Sequence, residues 1–369
     1  MRLCYSVVTT GLLCLSLTAC GDDELGSGTE SDGGSASAGT DTDTGGTDTD
    51  AATGTDTDAA TGTESDGGTD SGGTDTDGEP VIPYDGDPLP EADVGEWIWV
   101  DFPEARCRDG SSTGIGVRYG LENKLMIFFQ GGGACFNTLS CQLNPQNYDE
   151  GNFGGWKDGG GRSGILDPEN PDNPVGEWSV IYVPYCTGDV HAGDRPDANL
   201  SGVPGTQQFV GYRNVDHFLN RVVPTFWEAE HVLVTGVSAG GFGAALNYDR
   251  MTESFLKSEV TLIDDSGPPM ADPYLAPCLQ QQWRDAWNLD MTLPQDCADC
   301  FNADGGGIIN LASFLGDKHS DEVMALISSE EDGTIRSFFG FGNNDCSALI
   351  PNMDAATFKE GLYDLRDNG

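Results

Sequence analysis

The stretch "HVLVTGVSAGGFGAALNYD", residues 231–249, decides the fold. An apolar, β-branched run leads into Gly236, Ser238 and Gly240, and then into small residues with helical spacing. The five residues from Gly236 to Gly240 fit G-x-S-x-G, a sharp strand-to-helix turn that exposes a serine hydroxyl above a sheet. The helix N-terminus adds a positive end that favours developing negative charge. The pattern therefore favours Ser238 as a nucleophile over an incidental serine at a tight junction.

A second glycine-rich segment, "FFQGGGACF" at residues 128–136, follows an apolar run that reads as a central parallel strand. Such a loop can direct backbone N–H groups at an oxyanion. We expect the amides of Gly132, Gly133 and Ala239 to form this oxyanion hole. Glycine loops also bind phosphate, but the Walker lysine is missing here and no G-x-G-x-x-G follows the strand.

Strand and helix patterns alternate through the rest of the chain. Strands are predicted at 96–102, 114–120, 123–130, 177–186, 231–236, 258–267 and 322–332, and helices at 214–228, 240–251 and 354–367. Residues 151–173, rich in Gly, Pro and Asp, read as a surface loop. The alternation predicts an α/β fold with a mostly parallel central sheet and helices on both faces.

The N-terminal region reads as export and tethering sequence. Residues 1–19 have one arginine, a short apolar run and small residues just before Cys20. We predict a bacterial lipoprotein signal with Cys20 as the lipid-bearing residue, and an ordinary secretory signal is the alternative. Residues 20–85 form a Thr/Asp/Gly-rich disordered linker, and residues 86–369 form the folded domain. We expect an envelope lipoprotein at the outer membrane or cell surface, held to the membrane only by this anchor.

The composition excludes several partners. Residues 21–80 contain 17 acidic residues and no Lys or Arg, and residues 81–369 still carry 44 acidic and 16 basic residues, a net charge of −28. This charge argues against nucleic acid and strongly anionic polymers as partners. Eight cysteines remain after Cys20, and an even number in an exported chain indicates disulfides. "CADC" at 297–300 suggests a redox or zinc half-site, but no second CxxC or nearby His supports one, so we expect no metal or cofactor.

Five ordered stretches resemble the pectin acetylesterase/Notum family. They are "CRDGSSTGIGVR", "FFQGGGACFNTLSC", "SGILDPENPDNPVGEWSVIYVPYCTGD", "GVSAGGFGAALNYD" and "LIDDSG". The likeness extends from about residue 107 to the C-terminus. It implies an α/β-hydrolase fold, a serine–histidine–aspartate triad and the removal of acyl groups from carboxylic esters.

The resemblance also implies site residues. Ser238 falls on the nucleophile, and Gly132, Gly133 and Ala239 fall on the oxyanion positions. The acid after a late strand falls on Asp332, with Glu331 as the alternative. Two family disulfides fall on Cys107–Cys186 and Cys135–Cys141, while the partners of four cysteines stay open: Cys278, Cys297, Cys300 and Cys346.

The histidine of the triad departs from the family pattern. The order in this fold is Ser, acid, His, yet none of the four histidines follows Asp332: His191, His217, His231 and His319. We expect a C-terminally truncated sequence that is catalytically weak as it stands, because losing a triad member leaves only residual acceleration. His191, just past a strand end, is a candidate to line the pocket but not the base. The other three read as structural or exposed residues.

The sequence therefore favours an exported serine esterase that removes acyl groups, expected to be acetyl, from a glycan or a similar small ester. We expect it to act as a monomer. The main alternative is a non-catalytic surface binding protein on the same fold, without the triad histidine. A peptidase or lipase is a third possibility, and the lack of a long apolar lid segment disfavours a lipase.

Overall fold

The computed structural model describes residues 4–8, 80–142, 144–348 and 351–368. These residues fall within one unit of the chain. The predicted lipidation site Cys20 and the predicted linker as far as residue 79 lie outside the described residues. Within the described residues, no helix is long and apolar enough to cross a lipid bilayer.

Ten strands form two sheets in the residues that the structure describes. The strands are β1 (Cys4–Val8), β2 (Trp97–Arg106), β3 (Ser112–Arg118), β4 (Lys124–Phe129), β5 (Ser179–Val183), β6 (Arg195–Ala198), β7 (Gln207–Phe209), β8 (His231–Val237), β9 (Glu259–Asp265) and β10 (Met324–Ser329). The large sheet has the order β1-β10-β9-β8-β4-β5-β3-β2, and β6 pairs with β7. In the large sheet, the six neighbouring strands β1, β10, β9, β8, β4 and β5 are parallel. β3 pairs antiparallel with β5, and β2 pairs antiparallel with β3.

Nine α-helices connect and cover the strands in the described part of the chain. They are α1 (Thr138–Gln142), α2 (Glu150–Asp158), α3 (Gly211–Thr225), α4 (Ala239–Ser254), α5 (Pro277–Trp287), α6 (Asn310–Lys318), α7 (Gly333–Phe339), α8 (Asn343–Cys346) and α9 (Ala355–Asn368).

The central strand β4 explains why helices lie on both faces. Successive side chains of a strand point to opposite faces, and Ile127 and Phe129 enter one hydrophobic core with residues of α3 and α4. Met126 and Phe128 enter a second core, which contains Phe153 of α2. An almost continuous apolar run is therefore required, because both faces of this strand are buried.

Four disulfides join cysteines among the described residues. They are Cys107–Cys186, Cys135–Cys141, Cys278–Cys346 and Cys297–Cys300. The first two are the pairs that the family resemblance implies. The other two supply the partners that the sequence left open, and they give "CADC" a structural bridge between its own two cysteines.

Two sequence predictions need correction. The segment 151–173, predicted as a surface loop, contains most of α2 and two short 3₁₀ turns. The helix predicted from Asn214 begins earlier, at Gly211. β1 pairs with β10 at the edge of the sheet. It lies within the segment predicted as a signal peptide, and that assignment stays a prediction.

Candidate active site

Ser238 lies at the junction of β8 and α4. β8 ends at Val237 and α4 begins at Ala239, so one residue makes the whole turn. Its backbone has φ 59° and ψ −120°, a conformation that costs free energy for any residue with a Cβ. The side chain is half-buried, and none of the described residues hydrogen-bonds to its Oγ. The turn thus holds a hydroxyl group without a partner at the carboxyl edge of the sheet.

The glycines on either side of Ser238 are required by close backbone packing. A Cβ on Gly240 would lie 2.0 Å from the carbonyl oxygen of Phe129. A Cβ on Gly236 would lie 2.3 Å from the carbonyl oxygen of Gly240 and 2.6 Å from that of Phe129. The first turn of α4 can cross the end of β4 only because these positions have no side chain.

The triple-glycine loop lies directly against this turn. β4 and β8 are parallel neighbours, and Phe129 pairs with Gly236, so both strands end at the same level. A Cβ on Gly131 would lie 2.5 Å from the carbonyl oxygen of Val237 and 3.2 Å from the Cβ of Ser238. The fold therefore brings together two glycine-rich segments that are about a hundred residues apart in the sequence.

Backbone amides near Ser238 differ in whether they are already bonded. The Ser238 amide donates to the carbonyl oxygen of Asp265 at the end of β9, at 2.7 Å. In the described structure, the amides of Gly132, Gly133 and Ala239 have no protein acceptor. These three are the predicted oxyanion donors, and their hydrogens are free to bind a ligand oxygen. Their role in an oxyanion hole stays a prediction.

Asp332 follows β10, at the same carboxyl edge as Ser238. Its Oδ1 caps α7 by accepting hydrogen bonds from the amides of Thr334, at 2.9 Å, and Ile335, at 2.8 Å. Burial raises the pKa of Asp265, and the charge of Asp332 raises it further, so the two carboxyl groups lie within electrostatic reach. Glu331, the alternative acid, is exposed. The role of Asp332 as the triad acid stays a prediction.

His191 lies in the interior beside the glycine loop. Its Nε2 donates to the carbonyl oxygen of Gln130 at 2.9 Å, and its ring packs against Phe129 and Tyr185. Burial lowers the pKa of His191 to about 4, so the ring is neutral at pH 7. Through these contacts the His191 ring fixes the start of the glycine loop. The pocket-lining role suggested by the sequence stays a prediction.

Two of the other three histidines have hydrogen-bond partners away from Ser238. His231, at the start of β8, bonds to the hydroxyl of Thr261, and His319, at the end of α6, bonds to Asp249. His217 lies on α3. No hydrogen bond joins any of the four to Ser238 in the described structure.

Sequence reasoning missed several residues that shape this edge. Asp264, beside the nucleophile turn, is almost fully buried, and its Oδ1 accepts from the amide of Gly267 at 2.8 Å. Burial raises the pKa of Asp264 to about 8. Phe338 of α7 lies 3.1 Å from the place where a Gly133 Cβ would stand. The paired acids of "LIDDSG" after a buried strand were a readable signal, whereas nothing local in the sequence points to Phe338.

A family model described as Pectinacetylesterase matches residues 99–305. The chain belongs to the pectinacetylesterase family. This confirms the family that the five ordered motifs predicted, and residues 99–305 include both the nucleophile turn and the glycine loop.

Named relatives of this pectinacetylesterase-family chain are animal enzymes. Palmitoleoyl-protein carboxylesterase notum2 of Xenopus laevis is 31% identical over 150 residues, which are 39% of this chain and 30% of that protein. Palmitoleoyl-protein carboxylesterase NOTUM of Drosophila melanogaster is 26% identical over 212 residues, which are 53% of this chain and 31% of that protein. The chain thus spans less than a third of the length of each of these relatives.

A solved structure of the Wnt deacylase Notum from Drosophila has a similar fold. The TM-score is 0.55 at 20% sequence identity, and the match covers 73% of this chain and 81% of that one. The predicted α/β-hydrolase fold is confirmed for this member of the pectinacetylesterase family.

Proposed function

We propose that the chain is a serine carboxylic-ester hydrolase that removes acyl groups from an acylated substrate. The observation that carries the proposal is the strained conformation of Ser238 at the β8–α4 junction, directly against the triple-glycine loop. Strain of this kind persists only where the surrounding structure fixes it, and it is enriched at functional sites. Family membership and the names of the relatives, which are carboxylesterases, support the same reaction.

The proposed reaction is acyl transfer through an acyl-enzyme. The Oγ of Ser238 bonds to the ester carbonyl carbon, and its proton passes to a base that we do not assign. The carbonyl oxygen becomes an oxyanion bound by the amides of Gly132, Gly133 and Ala239. The C–O bond to the alcohol then breaks, and the alcohol leaves with a proton. Water attacks the acyl carbon, releases the carboxylic acid and restores the serine hydroxyl.

Asp332 completes the proposed site as the acid that would orient a histidine. Both helix amides donate to its Oδ1, so Oδ2 has no bond to a described residue and is free to accept one from an imidazole N–H. A carboxylate in that position stabilises the imidazolium that forms when the serine is deprotonated.

For the substrate, we propose a short O-acyl ester, acetyl first, on a glycan or similar carrier. The alternative substrate is a long acyl chain on a protein, because the relatives are named palmitoleoyl-protein carboxylesterases. The net charge of −28 over residues 81–369 disfavours a polyanionic carrier.

We also propose that the protein is exported and anchored through Cys20. Replacement of Cys20 by Ser should move it from the membrane fraction to the soluble fraction.

The experiment that tests this function compares the parent protein with Ser238→Ala. We expect the parent to hydrolyse p-nitrophenyl acetate slowly but faster than p-nitrophenyl decanoate, and Ser238→Ala to lower the rate with acetate to that of buffer alone. Ser201→Ala, in an exposed loop, is the matched control and should retain the parent rate. Equal rates for Ser238→Ala and the parent would contradict the proposal. A faster rate with decanoate would contradict only the proposed acyl chain.

A further inference from the structure

Buried side chains hold the backbone of the glycine loop through hydrogen bonds. Three of them donate hydrogen bonds to backbone carbonyl oxygens of the loop: His191 Nε2 to Gln130 at 2.9 Å, Asn144 Nδ2 to Gly132 at 2.9 Å, and Tyr185 Oη to Gly133 at 2.8 Å. All three donors are more than nine-tenths buried. Carbonyls at a loop of this kind would otherwise be free to rotate toward solvent or toward the site.

Each bond to a carbonyl also fixes the direction of an amide. In a trans peptide unit the C=O and the following N–H point in opposite directions. The Gly132 carbonyl faces Asn144, so the Gly133 amide hydrogen faces away from Asn144. The Gly133 carbonyl faces Tyr185, and this sets the Ala134 amide in the same way.

These hydrogen bonds are needed because glycine restricts its own backbone very little. Gly133 has φ +78°, a region that glycine enters and leaves at little cost. Without an external bond, the Gly132–Gly133 peptide could turn over and present its carbonyl oxygen, instead of an N–H, to the site. A carbonyl at that place would repel an oxyanion rather than stabilise it.

Asn144 is itself held rigidly. The guanidinium of Arg108, which is 1% exposed, donates from NH2 to the carbonyl oxygens of Asn144, at 2.8 Å, and Cys141, at 3.2 Å. The Cys135–Cys141 disulfide joins the same segment to the end of the glycine loop. The Oδ1 of Asn144 has no partner in the described structure, so within it the side-chain amide hydrogen-bonds through its Nδ2 donor.

We propose that Asn144 and Tyr185 are positioning residues of the active site, which set the oxyanion-hole loop by binding the Gly132 and Gly133 carbonyls. This inference rests on the proposed function. Neither side chain contacts the substrate. Asn144 keeps the Gly133 amide directed at the developing oxyanion, and Tyr185 fixes the peptide unit that follows it.

The test is the kinetics of covalent labelling by a fluorophosphonate, whose P=O oxygen occupies the oxyanion site as the Ser238 Oγ–P bond forms and fluoride leaves. Asn144→Leu keeps approximately the same shape and removes the donor without adding a charge. We expect its maximal labelling rate to fall about tenfold to a hundredfold, with the reversible binding constant of the probe within about twofold of the parent value. Asn173→Leu is the matched control, because Asn173 donates to the carbonyls of Ile165 and Asp167 in a different loop. It should label at the parent rate.

Tyr185→Phe provides an independent variant that keeps the ring packing and removes only the hydroxyl. We expect a smaller loss in the maximal labelling rate, again without a change in probe binding. This variant decides the question if Asn144→Leu does not fold. Parent-like maximal rates in the folded variants would overturn the positioning role while leaving the proposed function intact. A parent protein that the probe does not label at Ser238 would overturn both.

Discussion

Glycine has opposite roles in two regions of the molecule. At the nucleophile turn, a Cβ on Gly240 would lie 2.0 Å from a backbone oxygen, so the fold cannot accept a side chain there. In α2, a Cβ on Gly154 or Gly155 would meet no heavy atom within 4 Å. Glycine in the first region thus permits the close chain crossing on which the site depends. In the second region it only weakens a helix.

The largest effect is expected for Gly240→Ala. The added methyl group would overlap the Phe129 carbonyl, which belongs to a central strand and cannot move aside. We expect a loss of about 3 kcal/mol or more in the free energy of unfolding, together with loss of labelling at Ser238. Urea denaturation of the purified variant measures the first quantity. An unchanged midpoint would show that the crossing is looser than the structure indicates.

A second difference between the regions is a buried acid beside the turn. Burial raises the pKa of Asp264 to about 8. In the unfolded chain this carboxyl group ionises near pH 4, whereas in the folded protein it stays protonated up to about pH 8. The free energy of unfolding therefore has the whole contribution of Asp264 below pH 4 and loses it as the pH rises from 4 to 8. The buried His191, with its pKa lowered to about 4, acts in the opposite direction, and its contribution is lost as the pH falls from 6.5 to 4.

Asp264→Asn isolates the first of these groups. The amide oxygen can still accept from Gly267, but the ionisation is gone. We expect the stability of the variant relative to the parent to increase with pH between about 4 and 8, by at most about 1.4 kcal/mol per pH unit. Denaturation series at several pH values measure this difference. Asp158→Asn, at the exposed end of α2, is the matched control for the loss of one carboxylate. A parent-like pH slope for Asp264→Asn would contradict the expected effect of the buried acid.

The smallest effect is expected for Gly154→Ala. The position is helical and has open space around it, so alanine should stabilise the protein by about 0.5–1 kcal/mol. Thermal denaturation should show a small rise in midpoint and no change in labelling of Ser238. A destabilised variant would mean that α2 packs more tightly than the distances around Gly154 imply.

The nucleophile turn could be predicted because its determinants are local. Gly236, Ser238 and Gly240 are neighbours in sequence, and the preceding apolar run marks the strand. The α2 helix could not be predicted in the same way, because its composition resembles a loop. It is held by a capping box between Asp149 and Asn152 and by packing of Phe153 against aromatic residues of other elements. The second of these depends on the tertiary fold.

The start of α3 shows the same limit. Asn214 is a good N-cap residue, so the sequence placed the helix start there. In the structure, the carboxylate of Asp189 accepts from the Gly211 amide at 2.8 Å, and Asn214 bonds to the backbone of Arg106 instead. A cap supplied from a distant part of the chain leaves no local signal. The residues that hold the glycine loop, Asn144 and Tyr185, were missed for the same reason.

The most direct test of the central claim is to identify the residue that a fluorophosphonate modifies. The parent protein is treated with the probe, digested, and mapped by mass spectrometry. The account predicts one adduct, on the peptide that contains Ser238, and none in Ser238→Ala. An adduct on a different residue, or an unmodified Ser238 in folded protein, would contradict the assignment of the β8–α4 turn as the catalytic centre.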